Sequence, residues 1–193
     1  SLNKNILDRI EKKIEIKNKE LLSEIDKKFK TNIAVNQQFN VNIFLNQDCK
    51  NAMNLGDFIE SLRISIEDLN YTKDNGYAPG IGNILNKYLI NLKPTERPIH
   101  CTNKEKLHFY IKSENTWKED EGEQLNKKID DIKQKQIHKL KEWENLNPNW
   151  RNDEAKIQDY LKIVNNVYGN GDDAIEFLKI KQLISNTTQI DAK

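Results

Sequence analysis

Between residues 55 and 112 the chain is punctuated so densely by helix starts and stops that few folds remain open to it. Three short runs of helical periodicity, LGDFIESL (55–62), SIEDLNYTKDNG (65–76) and PGIGNILNKYLINL (79–92), are followed by RPIHCT (97–102), the turn NKEK, and LHFYIK (107–112). Ser65 is placed to cap the second helix, with Asp68 three positions on reaching back to the backbone. Asn75 and Gly76 end that helix, because both tolerate a left-handed backbone. Pro79 suits the first turn of the third helix, where a missing N–H costs nothing. Phe58, Ile59 and Leu62 can face inward from the first helix, and Ile81, Ile84, Leu85, Tyr88, Leu89 and Leu92 from the third. Pro94 and Pro98 then stop the helix and lead into a hairpin. There Ile99 and Cys101 on one strand, and Leu107, Phe109 and Ile111 on the other, supply one apolar face.

Three helices followed by a hairpin is the order of a winged helix-turn-helix, a module that docks nucleic acid or protein. The flanks extend this plan. In residues 1–30, Leu7, Ile10, Ile14, Leu21, Leu22, Ile25 and Phe29 recur at about 3.5 residues, interrupted at Lys17 and Asn18. A narrow apolar stripe on a charged helix predicts a coiled-coil seam, with Leu7, Ile10, Ile14, Leu21 and Ile25 as self-association residues. In QFNVNIFLN (38–46), Phe39, Val41, Ile43 and Leu45 alternate with polar residues, which predicts a half-buried strand able to join the small sheet. From Glu119 onward the pattern is helical. Leu125, Ile129, Ile132, Leu140 and Trp143 form one stripe, broken at Asn147-Pro148-Asn149. Ile157, Tyr160, Leu161, Val164, Val167 and Tyr168 form the next, and Asp172 caps a last helix running to about Ile184. The expected fold is therefore α+β and mainly helical. It comprises a coiled-coil helix (1–32), a winged-helix-like centre with a small antiparallel sheet (33–118) and a C-terminal helical region (119–193).

Charge narrows the function. Lys and Arg number 31 against 30 Asp and Glu, a formal net charge of +1. Only four of the basic residues, Arg9, Arg63, Arg97 and Arg151, are arginine. Proteins that live by neutralising phosphate usually carry a basic excess, so any basic surface here is local. No run of 18 apolar residues suggests a membrane span, and SLNKNILDRI has no apolar signal core. Two cysteines, Cys49 and Cys101, are too few for a disulfide framework and fit a reducing intracellular setting.

No catalytic motif competes with the docking reading. His100, Cys101, His108 and Cys49 are the only soft metal ligands of note, and zinc needs three or four that converge. Strand alternation sends His100 and Cys101 to opposite faces, which makes Cys101 a small core residue and not a nucleophile. Carboxylate pairs such as Asp57/Glu60, Glu67/Asp68 and Asp130/Asp131 read as solvated helix surface. Gly80-Ile81-Gly82 and Gly169-Asn170-Gly171 lack the spacing of phosphate loops and read as turns or a helix start. The expectation is a non-enzyme without cofactor or metal. If the third helix entered a major groove, Asn83, Asn86, Lys87 and Asn91 would face outward, and Asn pairs two-fold with adenine. Lys104 and Lys106 at the hairpin turn would touch phosphate. Lys133 belongs to a basic stretch with Lys127, Lys128, Lys135, His138, Lys139 and Lys141, which otherwise reads as a solvated helix face.

The series NIFLNQDCKNAMNLGDFIESL, LNYTKDNGYAPGIGNI and ERPIHCTNKEKLHFYIKSENTWKED resembles an uncharacterised domain of giant DNA virus proteins of the mimivirus type, over about residues 41–167. RPIHC, the following YIK and Trp117 carry the likeness in order. In that family the domain often follows a zinc finger and a coiled coil. No finger is present here, so the resemblance implies one upstream. It also implies a viral protein in the host cytoplasm or virus factory, with a regulatory role and no catalytic residues. The combined expectation is a viral regulatory module that self-associates and acts with nucleic acid, DNA or RNA. The alternative is a scaffolding module that binds viral or host protein without nucleic-acid contact. Neither involves a membrane.

Overall fold

The computed structural model describes residues 2–169 and 171–190; the side chains of residues 1–11, 14 and 32–39 lie outside that description. The chain divides into two compact units, Ser1–Ile43 and Phe44–Lys193. The first is a single helix, α1 (Leu2–Ile43), 42 residues long. At 1.5 Å per residue it measures about 63 Å. The expected strand over residues 38–46 is not formed. α1 continues through Ile43, and a π-helical turn, Phe44–Asp48, follows. The alternation of Phe39, Val41, Ile43 and Leu45 was a coincidence of composition. Val41, Leu45 and Cys49, four residues apart, are the buried positions of this stretch.

The second unit is mainly helical with a small sheet. α2 (Leu55–Ser61), α3 (Ile66–Asn75) and α4 (Tyr77–Leu89) come first. β1 (Ile99–Asn103), β2 (His108–Ser113) and β3 (Thr116–Asp120) follow, then α5 (Glu123–Leu146), α6 (Glu154–Tyr168) and α7 (Asp173–Thr188). The sheet is an antiparallel meander in the order β1-β2-β3. Its third strand thus comes from TWKED, beyond the hairpin, and not from residues 38–46 as expected. A two-residue turn at Glu114 and Asn115, with φ of 52° and 60°, joins β2 to β3. Asn54 clamps that turn: its Oδ1 accepts from the Asn115 amide at 2.8 Å and its Nδ2 donates to Asn115 Oδ1 at 3.4 Å. The helical pattern read from Glu119 begins in fact at Glu123, after Asp120 has closed the sheet and accepted a hydrogen bond from the Gln124 amide at 3.1 Å.

The punctuation works as the sequence reading requires. Ser65 and Asp68 form a reciprocal capping box on α3, and Gly76 at φ 96° separates α3 from α4. Asp153 and Asp172 cap α6 and α7 through the amides of Lys156 and Ile175, both at 3.2 Å. The main core gathers Phe58, Ile59, Ile81, Ile84, Leu89, Ile99, Cys101, Phe109 and Ile111 with Leu125, Ile129, Ile132, Ile180 and Ile184. Residues of the expected centre and of the expected C-terminal region therefore share one interior. A second cluster joins Leu69 of α3 to Leu140, Trp143, Ile163 and Val167 of α5 and α6.

Two glycines set how closely α4 packs. A Cβ built on Gly80 would lie 2.2 Å from Thr72 Oγ1, and one on Gly82 would lie 2.8 Å from Leu183 Cδ1. Gly80-Ile81-Gly82 is thus more than a helix start. It is the smooth face on which α3 and α7 rest against α4.

Candidate functional site

The residues expected to read nucleic acid are largely engaged within the chain. Asn83 and Asn86 are half-buried on α4. Asn86 Nδ2 donates to the Leu183 carbonyl of α7 at 3.1 Å. Lys87 Nζ lies 3.0 Å from both carboxylate oxygens of buried Asp68. That hydrogen bond raises the Lys87 pKa above its ordinary value. Lys104 Nζ donates to Asn186 Oδ1 at 2.9 Å, so Asn86 and Lys104 are drawn to the same end of α7. Lys106 is exposed at the β1–β2 turn, where its amide donates to Asn103 Oδ1 at 2.9 Å. Lys133, on α5, sits between two rings, 5.4 Å from the centre of Tyr77 and 6.0 Å from that of Tyr168.

The basic stretch of α5 is spent in a similar way. Lys128 pairs with Asp131 at 2.8 Å, Lys139 with Glu142 at 2.7 Å and Lys141 with Glu144 at 3.5 Å. Lys135 Nζ donates to the carbonyls of Glu60 and Leu62 at 2.9 and 3.2 Å, closing the end of α2. A groove of about 310 Å³ lies there, lined by Leu62, Arg63, Ile64, Lys135, His138, Lys139 and Glu142. Two of its cations thus already hold internal partners. These pairs supply the local charge balance that a net charge of +1 leads one to expect.

The sequence reading did not foresee what happens on the second face of the sheet. Strand alternation turns His100, Tyr110 and Lys112 away from Cys101 and Phe109, yet all three are buried as well. The segment after α1 covers them. Phe44 meets the His100 ring edge-on at 5.3 Å, and Trp117 of β3 lies 5.4 Å from it. Cys49 Sγ stands 3.6 Å from His100 Nε2, while Lys112 Nζ donates to the Lys50 carbonyl at 2.5 Å. Trp117 Nε1 donates to the Cys49 carbonyl at 3.4 Å.

This Cys–His pair is not a nucleophile and base. Burial drives the His100 pKa down to about 4, against smaller opposing effects from the backbone of Thr188 and Pro94. Burial, with the Asp48 charge behind it, pushes the Cys49 thiol up to about 11. Both groups are neutral at pH 7, whereas an activated thiol needs a depressed pKa and access. Among the described residues no three of His, Cys, Asp and Glu gather as a metal site. His108 is instead hydrogen-bonded to Glu119 and to Thr102 Oγ1, the latter at 2.7 Å. No periodicity could have announced a contact between residues 51 positions apart.

What remains uncovered is the middle of α1. Every described side chain from residue 15 to 31 is exposed. Among them Ile16, Leu21, Leu22, Ile25 and Phe29 are 44–66% exposed. Of the expected self-association residues, Leu21 and Ile25 lie on this apolar stripe; the side chains of Leu7, Ile10 and Ile14 are outside the described residues. The charges around it are solvated, with Asp26 and Lys30 only 3.7 Å apart. Among the described residues no helix is long and apolar enough to cross a membrane. No family model, curated protein or solved structure matches this chain.

Proposed function

We propose that the chain is a non-enzymatic interaction module in which α1 joins copies of the chain and the Phe44–Lys193 unit is the body so assembled. The observation that carries this reading is the stripe of Leu21, Leu22, Ile25 and Phe29, large apolar side chains that are all exposed on α1. A lone helix with large apolar groups in water is marginal, and a partner helix removes the cost. Leu21→Asp with Ile25→Asp tests it by sedimentation equilibrium. The wild type is expected at a multiple of the chain mass and the double variant at the mass of one chain. A wild type that sediments as one chain overturns the reading.

A role with nucleic acid is the second reading. It keeps one favourable observation, the exposed turn that carries Lys106. Against it stand the internal partners of Asn86, Lys87 and Lys104. Retention of an AT-rich duplex at low salt, lost in Lys104→Ala with Lys106→Ala, would transfer the function to that reading. The viral setting rests on the resemblance over residues 41–167 alone.

A further inference from the structure

We propose that the groove between the end of α2 and α5 binds the C-terminal end of a peptide whose last residue is a large aliphatic one. This site is independent of the association of α1. The groove, of about 310 Å³, has the size of a small ligand site. Leu62 and Ile64, both buried, form its floor. Arg63, Lys135, His138 and Lys139 line it against one carboxylate among the described residues, Glu142, which Lys139 already holds at 2.7 Å. Lys135 bonds to the carbonyls of Glu60 and Leu62. These fix the ammonium in place without cancelling its charge, and an ammonium has a third proton to give. The side chains of Arg63 and His138 are exposed and have no partner among the described residues. The groove thus keeps positive charge and unused donors beside an apolar floor.

Charge complementarity selects an anion, and the count of donors selects which kind. A carboxylate offers about four acceptor positions, and an arginine fork takes two of them in parallel. Lys135 and His138 supply the others. A phosphate dianion brings more charge than these donors answer, and Glu142 at the rim repels two charges more than one. A carboxylate without a body leaves Leu62 and Ile64 facing water, whereas an aliphatic side chain beside it covers them. Carboxylate and side chain spring from one carbon atom at the C-terminal residue of a peptide. The backbone of the groove suits a peptide too. The Arg63 amide donates to Tyr88 Oη at 3.1 Å, and that hydroxyl donates back to the Arg63 carbonyl at 2.6 Å. The N–H and C=O of Ile64, the next residue, have no partner among the described residues. An extended peptide can exchange hydrogen bonds with them.

A hexapeptide ending in leucine, labelled with a fluorophore at its N-terminus, tests this by fluorescence anisotropy with the full chain. With a free C-terminal carboxylate it is expected to bind about tenfold more tightly than as its C-terminal amide, the size of one hydrogen bond to a charged group. Arg63→Gln with His138→Gln is expected to remove that difference and to leave the melting temperature unchanged, because neither side chain has an internal partner. Lys141→Gln, on the exposed side of α5, is expected to bind as the wild type does. So is Leu21→Asp with Ile25→Asp, which separates failure of this site from failure of self-association. At matched ionic strength N-acetylleucine is expected to displace the peptide at lower concentration than inorganic phosphate. Equal binding of acid and amide, no binding of either, or a preference that survives in Arg63→Gln with His138→Gln overturns the proposal. Displacement by phosphate at least as readily as by N-acetylleucine overturns it as well, since the groove then reads charge alone.

Discussion

α1 and α5 carry apolar stripes of similar spacing on charged helices, yet they end in opposite environments. On α5, Leu125, Ile129, Ile132, Leu140 and Trp143 are buried under α2, α3 and α6, with Gln136 sealed among them. On α1, Leu21, Leu22, Ile25 and Phe29 face solvent. The pattern tells which face of a helix seeks cover, but not whether the cover belongs to the same chain. Turn chemistry tells the second thing. α5 is bounded by Gly122 and the Asn147-Pro148 break, which fold its neighbours back upon it, whereas α1 has no such break for 42 residues.

The contrast is broken most forcefully in the core. Ile132→Ala should cost about 2–5 kcal/mol of stability, because the methylenes are lost and a cavity remains. Ile25→Ala should leave the unfolding midpoint of the Phe44–Lys193 unit unchanged in chemical denaturation. Equal effects of the two would erase the distinction between the helices.

Acid sharpens it next. A free imidazole titrates near 6.5, and His100 in the fold near 4. The folded state therefore binds fewer protons in that interval. Stability is full above about pH 6.5 and falls as pH drops toward 4, by about 3 kcal/mol in all. The difference in unfolding free energy between the wild type and His100→Gln, followed across the window, reads this out. A difference that does not change with pH would show that burial of the ring is not what sets its charge. His100 and its ring contacts Phe44, Cys49 and Trp117 belong to the Phe44–Lys193 unit, so Ile25→Ala should leave that pH window unchanged.

Gly80→Ala is the smallest of the three effects, at about 1–3 kcal/mol, the usual range for overpacking. The added methyl group meets Thr72, whose Oγ1 accepts from buried Gln136 Nε2 at 2.7 Å. A thermal melt of the variant that matches the wild type would show that α3 and α4 separate freely, and that the close approach is incidental.

The parts of this fold that were legible in the sequence are those governed by local chemistry. Ser65 with Asp68, Gly76, Pro79 and Asp172 each act within four residues of where they stand, so three helices and the β1–β2 hairpin fell close to their true bounds. Residues 38–46 misled because alternation over a few residues is compatible with a helix whose buried positions, such as Val41 and Leu45, are four apart. β3 escaped notice because an edge strand with one exposed face needs few apolar residues, and TWKED has only Trp117. On α1 the stripe read from the sequence is found exposed at Leu21, Leu22, Ile25 and Phe29. Asn86, Lys87 and Lys104 looked outward on the helix and turn that bear them, because their partners Leu183, Asp68 and Asn186 come from elsewhere in the fold.

The last helix has a consequence for how the molecule comes into being. Glu176 caps the start of α4 through the Ala78 amide at 3.2 Å, Arg97 Nη1 donates to the Thr187 carbonyl at 2.6 Å, and the Ile190 amide donates to the Cys101 carbonyl at 2.9 Å. Each tie joins segments about ninety residues or more apart, 98 for the first and 90 for the second. A ribosome adds only ~5–20 residues each second, so α2, α3, α4 and the sheet must wait several seconds, their apolar faces open, until α7 emerges to shut the interior. Leu21, Leu22, Ile25 and Phe29 leave the ribosome before any of these segments, so that exposed stripe stands complete throughout the wait.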